Sequence, residues 1–246
     1  MNTKIILLLS DIRSGSTYFN KFFINFNNID IEFEIFNSNA TGLSSKLNNK
    51  YLHDLMVVKY GINYKSIVKS KFVEILIYLS NNCNKEFLIF KCFLSHLNSK
   101  QIKYLLDNKI IYHTFILERK NIIDRYISYK KVKITHSWIG NDTSNIQINF
   151  NIAEYKNFLK KNIEIYKTFF DLVKNTEYTY FEYNNVIKIN NFINKIQEIL
   201  PKLQLNRELT EIKIVKKQDN QINYIKKIKN YNKIKNYFEN ELNKYI

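Results

Sequence analysis

The sequence predicts a three-layer α/β/α fold, a central parallel sheet with helices on both faces, and three observations predict it. Apolar runs at 4–10, 87–94 and 110–117 have the length and continuity of strands buried on both sides. Longer segments between and after them carry apolar residues at helical spacing. The first run passes through a loop of small residues, Asp11-Ile12-Arg13-Ser14-Gly15-Ser16-Thr17, directly into a helical segment. Strand, tight loop and helix in that order form the first half of a βαβ unit, and continued alternation makes the sheet parallel. A chain of 246 residues, 45% of them hydrophobic, fits one such domain over 1–246.

The elements follow in order. Residues 4–10 are the first strand, and Tyr18 to Asn27 continue as a helix. Residues 30–36 alternate weakly, as a short strand or an ordered loop, and 37–50 are polar and loop-like. Over 65–81, Ile67, Val68, Phe72, Ile75, Leu76 and Leu79 share one helical face. The strand at 87–94 is followed by a helix through Leu106 with Ser99 as its N-cap. A strand at 110–117 precedes a helix over 121–132 that begins at Asn121. A long amphipathic helix covers 153–174, a Thr/Tyr/Phe-rich strand 177–183, and a helix 188–200 stops before Pro201, the single proline. Beyond Lys216 the chain is rich in Asn and Lys. Ile222, Ile225, Ile228, Tyr231, Ile234 and Phe238 still recur there at amphipathic spacing, which argues for structure rather than disorder.

Composition narrows the chemistry. Lys, Asn, Ile, Tyr and Phe are used heavily, while glycine occurs 4 times. Rare residues held against such a bias carry more information, which singles out Gly15, Trp138 and the arginines. A formal net charge of +16 permits nucleic acid, an anionic surface or a small polyanion as partner, although most of it reads as solvated lysine. Cys83 and Cys92 form neither a disulfide framework nor a zinc site, and no metal cluster is evident. The apolar start Ile5 to Leu9 is too short for a signal peptide and meets Asp11-Ile12-Arg13 without a small-residue cleavage site. No stretch has the length of a membrane span. These features lead us to expect a cytoplasmic protein.

The loop at 13–18 is a natural anion site. Gly15 lets the backbone approach an anion, Ser14, Ser16 and Thr17 supply hydroxyls, and Arg13 supplies a bidentate cation. The plainer alternative is a βα turn capped by Ser16 or Thr17. It is not a Walker A loop, since no lysine follows the glycine. Arg13-Ser14-Gly15-Ser16-Thr17-Tyr18 resembles the 5′-phosphosulfate loop of the sulfotransferases that use 3′-phosphoadenosine 5′-phosphosulfate (PAPS). It is most similar to the carbohydrate branch acting on trehalose and nodulation factors, with Ile12 where many members have proline. Arg119, closing the strand at 110–117, and Ser128, on the helix after it, resemble the family's 3′-phosphate segment.

Further fragments agree with this resemblance. Lys130 to Trp138 is similar to the Thr-x-x-Trp stretch, and Trp138 is a candidate sugar platform or a core residue. Tyr180-Phe181-Glu182-Tyr183 resembles a Tyr-Glu-Asp strand end near the adenine. Lys216-Lys217-Gln218 and Ile228-Lys229-Asn230-Tyr231 resemble C-terminal elements, which makes Lys217 a candidate to close over the nucleotide. The resemblance implies a P-loop-like sulfotransferase fold. It also implies PAPS as donor with no metal, a hydroxyl acceptor on a carbohydrate, and a nucleotide site of Arg13, Ser14, Gly15, Ser16, Thr17, Tyr18, Arg119, Ser128 and Lys217.

Sulfuryl transfer needs a base for the acceptor hydroxyl, a cation at the leaving phosphate and in-line placement. Glu32-Phe33-Glu34-Ile35-Phe36 resembles the family's Gly-Glu-Leu/Ile-Phe element, with Phe33 in place of the glycine, and the resemblance makes Glu34 the base. Glu32 competes, because alternation places both carboxylates on one side and their repulsion would raise one pKa. His96 is the other candidate base, and Arg13 is the candidate for neutralising the leaving phosphate. Two other functions stay open: a basic nucleic-acid-binding protein, and a relative that binds the nucleotide without transferring sulfate.

Overall fold

The computed structural model describes residues 3–32, 34–37, 57–59, 61, 69–136, 142–186, 189–204 and 223–244. Its frame is a five-stranded sheet in the order β2-β3-β1-β4-β5, and every pairing is parallel. The strands are β1 (Lys4–Ser10), β2 (Ile29–Glu32), β3 (Phe87–Cys92), β4 (His113–Glu118) and β5 (Tyr178–Glu182). β1 is central because it is apolar on both faces: Ile5 to Leu9 are each at most 4% exposed. Each such side chain stabilises the fold by about 1.5–3 kcal/mol through burial.

The helices are α1 (Ser16–Phe22), α2 (Phe72–Asn82), α3 (Ser99–Asp107), α4 (Ile122–Thr135), α5 (Ile152–Val173), α6 (Tyr183–Val186), α7 (Ile189–Ile199), α8 (Tyr224–Lys227) and α9 (Tyr231–Leu242). Alternation along the strands sorts them into layers. Ile6, Leu8, Ile89 and Phe115 face α1 and α7 with Phe19, Phe22, Phe23 and Phe192. Leu7, Leu9, Phe90 and Ile116 face α2, α3 and α5 with Leu76, Leu105 and Phe169. A further apolar cluster joins α4 to the C-terminal helices through Tyr126, Phe150, Tyr155, Ile228 and Phe238, and Ile148 bridges Ile228.

Local details adjust the expectations. The N-cap of α3 is Asn98, not Ser99, and a reciprocal capping box with Gln101 secures it. Asn121 caps α4 by accepting from the Asp124 N–H. The segment at 30–36 resolves into β2 followed by a turn, since Ile29 and Ile31 meet the core while Asp30 and Glu32 point to the other face. Residues 38–56 lie outside the described residues, as does 62–68, the start of the predicted 65–81 helix. No helix among the described residues is long and apolar enough to cross a membrane.

The strand order contains a switch point. From β1 the chain turns toward the β2 edge, and from β4 it turns toward β5. The carboxyl ends of β1 and β4, adjacent in register with Ser10 beside Leu117, therefore open onto a switch point where parallel sheets bind ligands.

Candidate functional site

The loop after β1 is tightly specified. The Ser14 N–H donates to the Asp11 carbonyl at 3.2 Å. Arg13 has φ 59 and Gly15 φ 90, both left-handed, a conformation costing an ordinary residue about 1–2 kcal/mol. Gly15 itself caps α1, with no side-chain cap bond, so neither Ser16 nor Thr17 acts as the cap. The glycine is required for a second reason that the sequence does not announce. A Cβ there would lie 2.2 Å from Cε2 of Tyr183, so the phenol ring packs directly on the loop backbone.

The two phosphate-like segments meet. Nε of Arg13 donates to Oγ of Ser128 at 2.8 Å, across 115 residues of chain. The Arg119 guanidinium lies over the Tyr183 ring, 5.1 Å from its centroid, and donates to Oδ2 of Asp124 at 3.0 Å. Burial and then the nearby positive charge of Arg119 lower the Arg13 pKa to about 10. The two guanidinium groups are therefore near enough for the charge of Arg119 to act on Arg13. Oδ1 of Asp124 accepts from the Tyr224 hydroxyl at 3.1 Å and lies 3.6 Å from Nζ of Lys227, which brings α8 to the same place.

A second cluster stands at the end of β3. Nζ of Lys91 is 2.7 Å from Oε1 of Glu34 and donates to Oγ1 of Thr17 at 3.1 Å, so one buried ammonium joins the carboxylate to the anion loop. Nδ2 of Asn37 donates to Oε2 of Glu34 at 2.7 Å, and Nε2 of His96 lies 3.6 Å from the same oxygen. Burial pushes the Glu34 pKa up, but the Lys91 charge and the hydrogen bonds of Lys91 and Asn37, helped by His96, bring it below the usual carboxylate value. Burial lowers the Lys91 pKa, against the attraction of Glu34. His96 falls to about 4, chiefly through burial, and its Nδ1 accepts from the Phe93 N–H at 3.4 Å. At neutral pH the histidine is an uncharged neighbour of an ionised Glu34.

The two carboxylates differ, though not by repelling each other: burial and Asp30 act on Glu32, and Lys91 acts on Glu34. Glu32 is fully buried, neither of its oxygens has a hydrogen-bond partner, and burial followed by Asp30 raises its pKa well above the usual value. Glu32 therefore holds its proton to higher pH than Glu34 does.

The structure thus brings Arg13, Gly15, Thr17, Tyr18, Arg119 and Ser128 together around the loop after β1 and the ring of Tyr183. The Tyr18 ring meets Tyr183 edge-on at 6.4 Å. Ser14 and Ser16 belong to the same loop but are buried. Lys217 and Trp138 lie outside the described residues. Lys91, Asp124, Tyr224 and Lys227 contact residues of this site but were not selected from the sequence, and Tyr183 entered there only through the resemblance of 180–183. Lys91 carried a usable signal, a lone lysine inside the run Phe87-Leu88-Ile89-Phe90-Lys91-Cys92, where a charge is tolerated only with a partner. Among the described residues, no group of three or more His, Cys, Asp or Glu side chains could hold a metal ion.

No protein-family model matches the chain, and no curated protein matches it. Among solved structures it is similar to a sulfotransferase domain from the curacin biosynthetic pathway. The TM-score is 0.50 and the identity 13%, over 88% of this chain and 80% of that one. The chain therefore has a sulfotransferase-like fold, an α/β architecture around an all-parallel sheet of five strands.

Proposed function

We propose that this protein is a sulfotransferase that moves a sulfuryl group from PAPS to a hydroxyl, on a carbohydrate acceptor. The observation that carries the reading is the meeting of Arg13 with Ser128, with Arg119 close by. A ligand phosphorylated at both its 5′ and 3′ positions has two charged ends for two such cations, and ATP lacks the 3′ end. The 5′ end falls to the loop of Arg13, Gly15, Ser16 and Thr17. The 3′ end falls to Arg119 and Ser128, with Lys227 supporting from α8, and Lys217 is proposed to close over the nucleotide. The carbohydrate acceptor rests on the resemblance of the 13–18 loop to that branch. A cytoplasmic location rests on sequence composition.

The chemistry distributes over the second cluster. The acceptor oxygen bonds to sulfur as the bond from sulfur to the phosphate oxygen breaks, and the acceptor proton passes to Glu34. Arg13 and Lys91 meet the charge arriving on the leaving phosphate. Lys91 pairs with Glu34. A donor anion near Thr17 competes for that ammonium, which frees Glu34 and raises its basicity at the moment a base is needed. His96, neutral and engaged at Nδ1, is the weaker base.

The nucleic-acid alternative is disfavoured by where the aromatic rings lie. Among the described residues the exposed large aromatics are Tyr104, Tyr112 and Tyr178, the others being at least partly buried, which leaves little aromatic surface for base stacking. The test is calorimetric titration with 3′-phosphoadenosine 5′-phosphate (PAP), then an acceptor screen with labelled PAPS. Arg13→Ala and Arg119→Ala should each weaken PAP binding strongly. Glu34→Gln should keep binding and abolish turnover, and ATP should support no transfer. Failure of the wild-type protein to bind PAP overturns the proposal.

A further inference from the structure

Arg125 has no part in the chemistry above, yet it is among the largest fully buried side chains. It lies on α4 one turn before Ser128. Its Nη2 donates to Oδ2 of Asp11 at 2.6 Å and to the Ile12 carbonyl at 2.8 Å. The guanidinium carbon sits over the Phe158 ring at 5.6 Å and the Tyr166 ring at 5.9 Å, which leaves Nε and Nη1 without a hydrogen-bond acceptor. A buried cation with incomplete hydrogen bonding is expensive and would be replaceable by an apolar side chain if packing were its only task. Its two bonds mark a different task. Ile12 contributes the carbonyl of the peptide that leads into Arg13, the residue with φ 59, and Asp11 supplies the carbonyl that closes the turn onto Ser14. Arg125 therefore grips the loop on the near side of its strained residue, while Ser128, on the same helix face, receives Arg13 itself.

We propose that Arg125 is a positioning residue that imposes the left-handed conformation at Arg13 and joins the 5′ loop and the 3′ helix into one unit. One helix thereby sets the distance between the two charged ends a ligand must match. The argument rests on the donor reading for what the loop holds, but not for how the loop is held. Tyr166 works alongside it, its hydroxyl donating to the Leu117 carbonyl at 2.7 Å and bracing the end of β4 against which the loop packs.

The test combines amide hydrogen exchange with PAP titration on the full chain, for Arg125→Met, Arg125→Lys and Asp11→Asn. Methionine keeps the contact with the two rings and loses both hydrogen bonds. Amides of the 11–17 loop should then exchange faster while those of β1 and β3 do not, PAP affinity should fall about tenfold or more, and kcat/KM for PAPS roughly a hundredfold. The acceptor KM should stay unchanged. Lysine, a single point cation without the planar fork, should restore thermal stability but not loop protection. Unchanged loop exchange in Arg125→Met overturns the proposal, whatever PAP does. Should Arg125→Met fail to fold, unchanged loop exchange in both Arg125→Lys and Asp11→Asn overturns it instead. A wild-type protein that binds no PAP, but whose loop loosens in these variants, removes the donor reading and keeps the positioning role.

Discussion

Replacing Lys91 with methionine separates what this residue does for the fold from what it does for transfer. Removing one partner of a buried ion pair costs about 3–5 kcal/mol, because the other charge is stranded. The side chain of Lys91 is 3% exposed and that of Glu34 19%, and Asn37 keeps its bond to Oε2. Water and that amide partly satisfy the stranded carboxylate, so the expected loss is at the low end, about 3 kcal/mol. In a chain of this size that corresponds to a fall in Tm of about 6–12 °C. Adding Glu34→Gln removes the stranded charge and should recover most of the stability, while turnover stays absent in both variants. Urea denaturation gives the stabilities, and labelled-PAPS turnover gives the activity. A loss below about 1 kcal/mol, the scale of an exposed pair, refutes the reasoning, as does a double variant no more stable than the single one.

Other outcomes follow from the same geometry. Gly15→Ala should destabilise by at least about 1–2 kcal/mol from its φ alone, and more because Tyr183 must move; urea denaturation and PAP titration measure both losses. Glu32→Gln should stabilise at neutral pH and do nothing near pH 4. The buried carboxyl keeps its proton in the folded state, so the unfolded chain holds fewer protons once pH exceeds its ordinary pKa. Wild-type stability then falls as pH rises toward the folded pKa, and Tm compared across pH for the two proteins reads the difference. Arg13→Ala should abolish the Tm rise that PAP gives the wild type, read from Tm with and without PAP, because it removes the cation that meets Ser128 beside Arg119.

Much of the frame was legible because β1, β3 and β4 are buried along almost their whole length and so read as nearly continuous apolar runs. The two arginine segments were legible because the loop chemistry of Arg13 to Tyr18 and the placement of Arg119 after a strand are local patterns. Other features depend on partners remote in the chain. Nothing near Gly15 indicates that Tyr183 covers it, and nothing near Arg125 indicates that its charge is spent on Asp11, 114 residues earlier. Among Ile122, Ile123, Tyr126 and Ile127 it reads as the polar side of an amphipathic helix. The cap of α3 was misplaced by one residue because Asn98 and Ser99 are both good caps, and only the reciprocal reach of Gln101 decides between them. Glu32 and Glu34 were weighed against each other in the sequence, but what sets them apart is the deep burial of Glu32 and the reach of Lys91 from β3 to Glu34.

Asp124 has a consequence for when this protein becomes competent. The carboxylate that steadies Arg119 takes its other partners from Tyr224 and Lys227, the tyrosine 100 positions later. During synthesis the sheet and Arg119 emerge well before those partners do. A ribosome-bound chain lacking residues 224–227 leaves Arg119 with an incompletely tethered counterion, so this corner of the fold reaches its final shape only after the late segment docks.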